Sequence, residues 1–196
     1  MLDEILRQPS EQRRNQTVLK HYQSFFKDHK QELLTWDIGP IKELVPSFQV
    51  FRAEPGPQIN LWSYASIGAN NFGHDKLGLL EFIVHSPIES PTLVETMGMI
   101  THYHANRNLG FGHSMPIGEP WLDGSECNHW LISKRYPLGA ELEICNIKNT
   151  HIHVALLLPI TEAENKYKAK NGLEALEKLF EDKGLEYWNI RRKSLV

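Results

Sequence analysis

Cysteine is scarce in this 196-residue chain: Cys127 and Cys145 are the only two. Two thiols make no disulfide framework, and a reduced compartment is the simpler setting. Long hydrophobic runs are missing as well, the longest being the five residues Val154 to Leu158, far short of a bilayer span. Met1 to Arg14 is polar and lacks the apolar stretch of a secretion signal, so the expected location is cytoplasmic. No charge of one sign dominates, with 21 Lys and Arg against 24 Asp and Glu, a net of −3, interleaved along the chain. A protein held to nucleic acid by neutralising phosphates needs a basic face, and that class is set aside. Gly110, Gly112 and Gly118 do not open a helix after a strand, so no phosphate-cradling loop is present.

What the chain does have is 41% apolar and 10% aromatic residues, enough to fill a core. Ser10 precedes an amphipathic segment in which Val18, Tyr22, Phe25, Phe26, His29 and Leu33 recur three or four apart, which predicts an N-terminal helix. Four prolines between Gly39 and Pro57 predict a short edge strand among loops. Alternation from Gln58 to Ser66 and the apolar run Leu79 to Val84 predict two strands paired as a hairpin. Pro91 opens a helix with Leu93, Met97, Ile100 and His104 on its inner face and Gly98 and His102 away from it. Pro116 to Asn128 reads as a shaped loop. Three strands are expected at Trp130 to Tyr136, Glu141 to Ile147 and Ile152 to Leu158, and the turns between them are short enough to demand antiparallel neighbours. Thr161 and Glu164 form a capping box that starts a helix directly off the last strand. Asn171-Gly172 then separates it from a final helix ending at Gly184, and the basic tail Arg191-Arg192-Lys193 reads as solvated. The sum is one α+β domain over residues 1–196, a mixed, mainly antiparallel sheet flanked by helices.

Ten histidines suggest metal chemistry. The candidate ligands are His102, His104, His113, Cys127, His129, His151 and His153. On a helix, His102 and His104 point about 200° apart and cannot share an ion. His151 and His153 sit at a strand start and share a face, but no third ligand follows at a diagnostic spacing. Histidines filling amphipathic and strand-edge positions is the favoured reading, with no metal and no cofactor. The alternative is a metal-dependent hydrolase around His113, His129, His151 and His153. His113-Ser114 lacks the glycine frame of a nucleophile elbow, and Cys127 stands two residues from His129 at a loop-to-strand junction. Asp123 and Glu126 share a loop without a visible partner. Trp121, bracketed by Pro120 and Gly124 beside Asp123, has the makings of a partner anchor, or of a lid folded back onto the sheet.

An ordered set of motifs resembles the suppressor of fused family over about residues 45–188. It comprises Leu-Gly-Phe-Gly-His-Ser at 109–114, Gly-Glu-Pro-Trp-Leu-Asp-Gly-Ser-Glu at 118–126, His-Trp-Leu-Ile-Ser at 129–133, Tyr-Pro-Leu-Gly at 136–139 and Leu-Leu-Pro-Ile-Thr-Glu-Ala-Glu at 157–164. The resemblance implies a non-enzymatic binding protein. The animal member grips a short peptide as an added strand between two domains, and this chain is similar to the first of them. Single-domain bacterial relatives are thought to be immunity proteins that neutralise toxins, which makes a protein, either a toxin domain or a peptide segment, the expected partner. Tyr103 matches a family tyrosine at the peptide contact. Where many relatives carry Gly-Asp, this chain has Gly112-His113. The expected partner-binding residues are thus Tyr103, His113, Trp121 and Asp123.

Overall fold

The computed structural model describes residues 10–35, 38–73, 78–134, 139–148 and 150–196. The expected turns through Pro137-Leu138 and Asn149, like the first nine residues, lie outside them. The hydroxyl of Ser10 accepts the amide of Arg13 at 3.4 Å and starts α1 (Glu11–Phe25). Val18 and Tyr22 are buried on its inner face, with Phe26 just beyond its end. The stripe does not continue as helix to Leu33. The Gln31 side-chain amide donates to the Phe26 carbonyl at 2.6 Å, closing a turn. Leu33 then lies on strand β1 (Gln31–Thr35), opposite Phe51.

The proline-rich stretch contains a short helix, α2 (Pro40–Leu44), whose proline takes the first helical position where its missing N–H costs nothing. Strand β2 (Gln49–Ala53) follows. It is not the expected edge, because Pro46 and Pro55 flank it without interrupting it, and β1 pairs along its outer side. Strand β3 (Trp62–Ile67) begins four residues later than the alternation suggests and pairs antiparallel with β4 (Leu79–Ser86), the expected hairpin. Helix α3 (Pro91–Arg107) buries Leu93, Met97, Ile100 and His104 as its spacing predicts. Gly98 is buried too, because α2 packs there: a Cβ at Gly98 would lie 3.7 Å from Ile41.

After α3 come the three-residue strand β5 (Ser114–Pro116), within a segment expected to be loop, and β6 (Cys127–Ser133). The expected strand from Glu141 begins instead as the helical turn α4 (Ala140–Glu143), and only β7 (Ile144–Ile147) is extended. The twelve residues of β8 (Thr150–Thr161) run into α5 (Glu162–Asn171) through the capping box, both of its hydrogen bonds being formed. Helix α6 (Leu173–Asp182) ends the regular structure.

These strands make one eight-stranded sheet in the order β1-β2-β3-β4-β8-β6-β5, with β7 also on β8. Every pairing is antiparallel except that of β4 with β8, giving the mixed, mainly antiparallel α+β fold that the sequence predicts. Strands β6 and β7 do not pair with each other. They follow one another along the same side of β8, β7 on Thr150 to His153 and β6 on Leu156 to Thr161. Alternation along β4 and β8 sends Ile83, Ile152, Val154, Leu156 and Leu158 to a core under α1 and α6. Leu80, Phe82, Val84, Ala155 and Leu157 face a second core under α2 and α3.

The basic tail is not wholly solvated. Arg192 is buried and grips both oxygens of Glu164 at 2.7 and 2.8 Å while also donating to the Pro159 carbonyl. The same Glu164 caps α5 and accepts the Leu195 amide, so one carboxylate pins the C-terminal segment to the end of β8. No helix among the described residues is long and apolar enough to cross a membrane.

Candidate partner-binding site

Strand β5 ends the sheet. Its one strand neighbour among the described residues is β6, through Ser114 opposite Leu131, Met115 opposite Trp130 and Pro116 opposite His129. The approach to it is built by a helix end and a turn. Helix α3 stops at Asn108 in the left-handed conformation, its amide bonded to the His104 carbonyl, and Leu109 buries itself in the core. A tight turn follows in which the His113 amide donates to the Gly110 carbonyl at 3.1 Å and the Gly110 amide to His113 Nδ1 at 3.3 Å. Gly112, at φ +81°, takes a conformation that disfavours any side chain, and a Cβ there would meet Leu173 at 2.9 Å. The His113 ring is thereby left exposed at the start of β5.

Lys168 braces this corner from α5. Its ammonium donates to the Gly112 carbonyl at 2.6 Å and to Ser114 Oγ at 2.8 Å, and that hydroxyl donates to Asn165 at 2.6 Å. Partial burial without a carboxylate lowers the lysine's pKa.

At the other end of β5 the loop turns on Trp121. Only 3% exposed, this indole lies edge-on to Trp130 with ring centroids 6.0 Å apart and donates to Ser125 Oγ at 3.0 Å. Of the two sequence readings the lid is the one realised. An anchor needs a free ring, and this one is spent on the core beneath, shaping the loop that carries Asp123 outward. Tyr103 stands on the outer side of α3, 44% exposed. Tyr103, His113 and Asp123 are therefore on the surface and Trp121 is not. Sequence reasoning weighed Ser114 only as a nucleophile and missed Lys168 and Asn165, whose residue types are ordinary on any surface and which only the fold brings to it.

The histidines divide in the way that the helix and strand periods dictate. His102 is exposed on α3, whereas His104 is buried with Nε2 2.6 Å from the Phe72 carbonyl, and burial lowers its pKa. His129 lies on β6 beside Asn128, and His151 and His153 are on β8. Among the described residues no group of three or more His, Cys, Asp or Glu is placed to hold a metal ion, which leaves the four-histidine hydrolase without a supporting geometry. Burial raises the pKa of both thiols, that of Cys145 to about 11, which makes them poor nucleophiles near neutral pH.

Comparison with known proteins agrees with this architecture. The family model for suppressor of fused protein (SUFU) matches residues 45–193. A crystal structure described as a SUFU homolog from Neisseria gonorrhoeae is 37% identical, with a TM-score of 0.84 over 94% of this chain and 98% of the other. The fold is shared with the Sufu-Fu complex crystal structure, at 13% identity and a TM-score of 0.65 over 93% and 92% of the two chains. It is shared also with Drosophila Suppressor of Fused, at 15% identity and a TM-score of 0.61 over 91% of this chain. This chain spans half the length of the Drosophila protein. No curated protein matches it significantly in sequence. With the family model covering most of its length and a relative above a third identical over nearly all of it, the chain belongs to the suppressor of fused family.

Proposed function

We propose that this protein is a non-enzymatic protein-binding module that offers the edge of β5 to its partner, and that it serves in the cytoplasm as an immunity protein neutralising a toxin domain. The observation that carries the reading is the position of β5. It ends the sheet with no further strand beside it among the described residues, and the exposed His113 ring and the Asp123 loop stand at its two ends. A short edge held by the sheet behind it suits a brief added strand, in which the edge carbonyls supply most of the main-chain hydrogen bonds because Pro116 has no N–H, and flanking side chains supply selection. A solved relative in a complex named for two proteins, Sufu and Fu, supports partner binding as the use of this fold.

The polar groups at the edge favour binding over catalysis. The Ser114 hydroxyl is committed to Asn165 and Lys168, and His113 Nδ1 accepts a backbone amide. Both are thus tied into the turn, with neither poised as a nucleophile–base pair. Tyr103, His113 and Asp123 are the contact residues of this proposal. Their test is co-expression with any toxin domain that a neighbouring gene encodes. The wild type is expected to restore growth and to co-purify with the toxin in a fixed ratio. Tyr103→Ala and His113→Ala are each expected to weaken the complex about tenfold, the first at an unchanged melting temperature and the second with a small loss, because the Gly110 amide loses its acceptor. Absence of a complex and of protection would refute the reading.

A further inference from the structure

At the start of β8 two imidazoles converge, one of them edge-on to Phe111 of the turn into β5 at 5.6 Å between centroids. His151 and His153 lie two residues apart on β8 and so share a face of the sheet, with their Nε2 atoms 3.1 Å apart. Two nitrogens bound to one ion at about 2.05 Å stand roughly 2.9 Å apart in a square-planar site and roughly 3.3 Å apart in a tetrahedral one. The observed separation falls between the two. We propose that His151 and His153 chelate one divalent late first-row transition-metal ion through their Nε2 atoms, in the preference order Cu2+ over Ni2+ and Zn2+. This site is independent of the partner-binding reading.

Two observations support it. First, the strand beneath the pair is held on both sides, His153 opposite Leu80 of β4 and Ile144 of β7, so the two rings start from a rigid base and little order remains to be imposed by the ion. Second, one of the two rings faces solvent, His151 being exposed and His153 half-buried. The present contact is an N···N hydrogen bond in which one Nε2–H donates and the other Nε2 accepts, so chelation requires that one proton to leave for Nδ1 or for solvent. The charge nearby is balanced. Lys134, which lies 5.8 Å from the centre of the Phe111 ring, disfavours a cation, and Glu143, which interacts with the same lysine, offsets it. Two protein ligands leave the remaining coordination positions to water.

The test is titration of the full chain with Cu2+ alone, read by calorimetry and by electron paramagnetic resonance. The wild type is expected to bind one equivalent saturably, with a spectrum showing coupling to two imidazole nitrogens. His151→Ala and His153→Ala should each weaken this binding at least tenfold, and His102→Ala, on the exposed side of α3, should leave it unchanged. Because His151 is exposed, its variant folds as the wild type does, which a matching melting curve would verify. Unchanged affinity in both strand variants, or binding that never saturates, would overturn the proposal.

Discussion

Glu81 and His85 lie on the same face of β4, both fully buried, and each meets the cost of burial differently. Among the described residues the Glu81 carboxylate has no cationic partner in hydrogen-bond range. It accepts instead from Ser66 Oγ, Asn70 Nδ2 and three backbone amides, those of Gly68, Ala69 and Asn70, which the 3₁₀ turn at Ala69–Asn71 points inward. Desolvation still raises its pKa. Its Asn70 partner is held in turn by Asn15 and Arg14 of α1, so the network ties the N-terminal helix to the sheet. Glu81→Ala would orphan all these donors and is expected to cost about 3 kcal/mol or more in a denaturant titration. His85 accepts or donates one hydrogen bond, to Ser63 at 2.9 Å, and its Nε2 is buried without a partner. Burial drives its pKa down to about 3. Between the ordinary imidazole value of 6.5 and this one, the unfolded chain binds a proton that the folded chain refuses. Stability must therefore fall as pH falls through that window, by up to about 1.4 kcal/mol per pH unit from this residue. His85→Gln is expected to flatten that decline in melting curves taken from pH 7 to 4, and an unaltered slope would contradict the assignment. Neither role was legible in the sequence, where Leu-Glu-Phe-Ile-Val-His reads simply as a strand with two polar interruptions.

Among the elements, legibility follows how local the deciding forces are. The capping box at Thr161 is a contact across three residues, and α5 begins where it predicts. The inner face of α3 likewise follows from spacing alone. Errors arise where a distant partner decides. The helix ending at Phe25 and the edge position of β1 depend on β2, and the helical turn α4 interrupts a pattern that suits a strand equally well. The C-terminal segment is the clearest case. A basic tail reads as solvated until a buried carboxylate is found waiting for it, and Glu164 is read locally as a cap. Arg192→Ala strands that carboxylate and is expected to lower stability by about 3–5 kcal/mol, whereas the exposed neighbour Arg191→Ala should change it little. Comparing the two unfolding midpoints checks this. The Trp121 loop behaves as part of the core: Trp121→Ala should cost about 3–5 kcal/mol and lower the melting temperature. A variant that bound partner poorly at full stability would restore the indole to the surface.

At the scale of the whole molecule, the sequence carries the α+β class and two of the six antiparallel pairings, β3 with β4 and β7 with β8. The one parallel pairing, β4 with β8, joins strands more than sixty residues apart, and no local pattern announces it. The same limit governs the candidate site. His113 and Asp123 were legible through the family motifs, and Tyr103 through its match to them. That their strand closes the sheet, and that Lys168 braces its entrance from α5, emerges only from the assembled order of strands. The account rests on β5 being the edge that a partner joins. Amide hydrogen exchange of the chain, alone and bound to a toxin domain that it neutralises, measures this directly. Protection on binding should appear at the Ser114 and Met115 amides of the strand, since Pro116 has no N–H and the His113 and Ile117 amides are already bonded within the chain; protection confined to β1 at the opposite end of the sheet, or none at all, would contradict it.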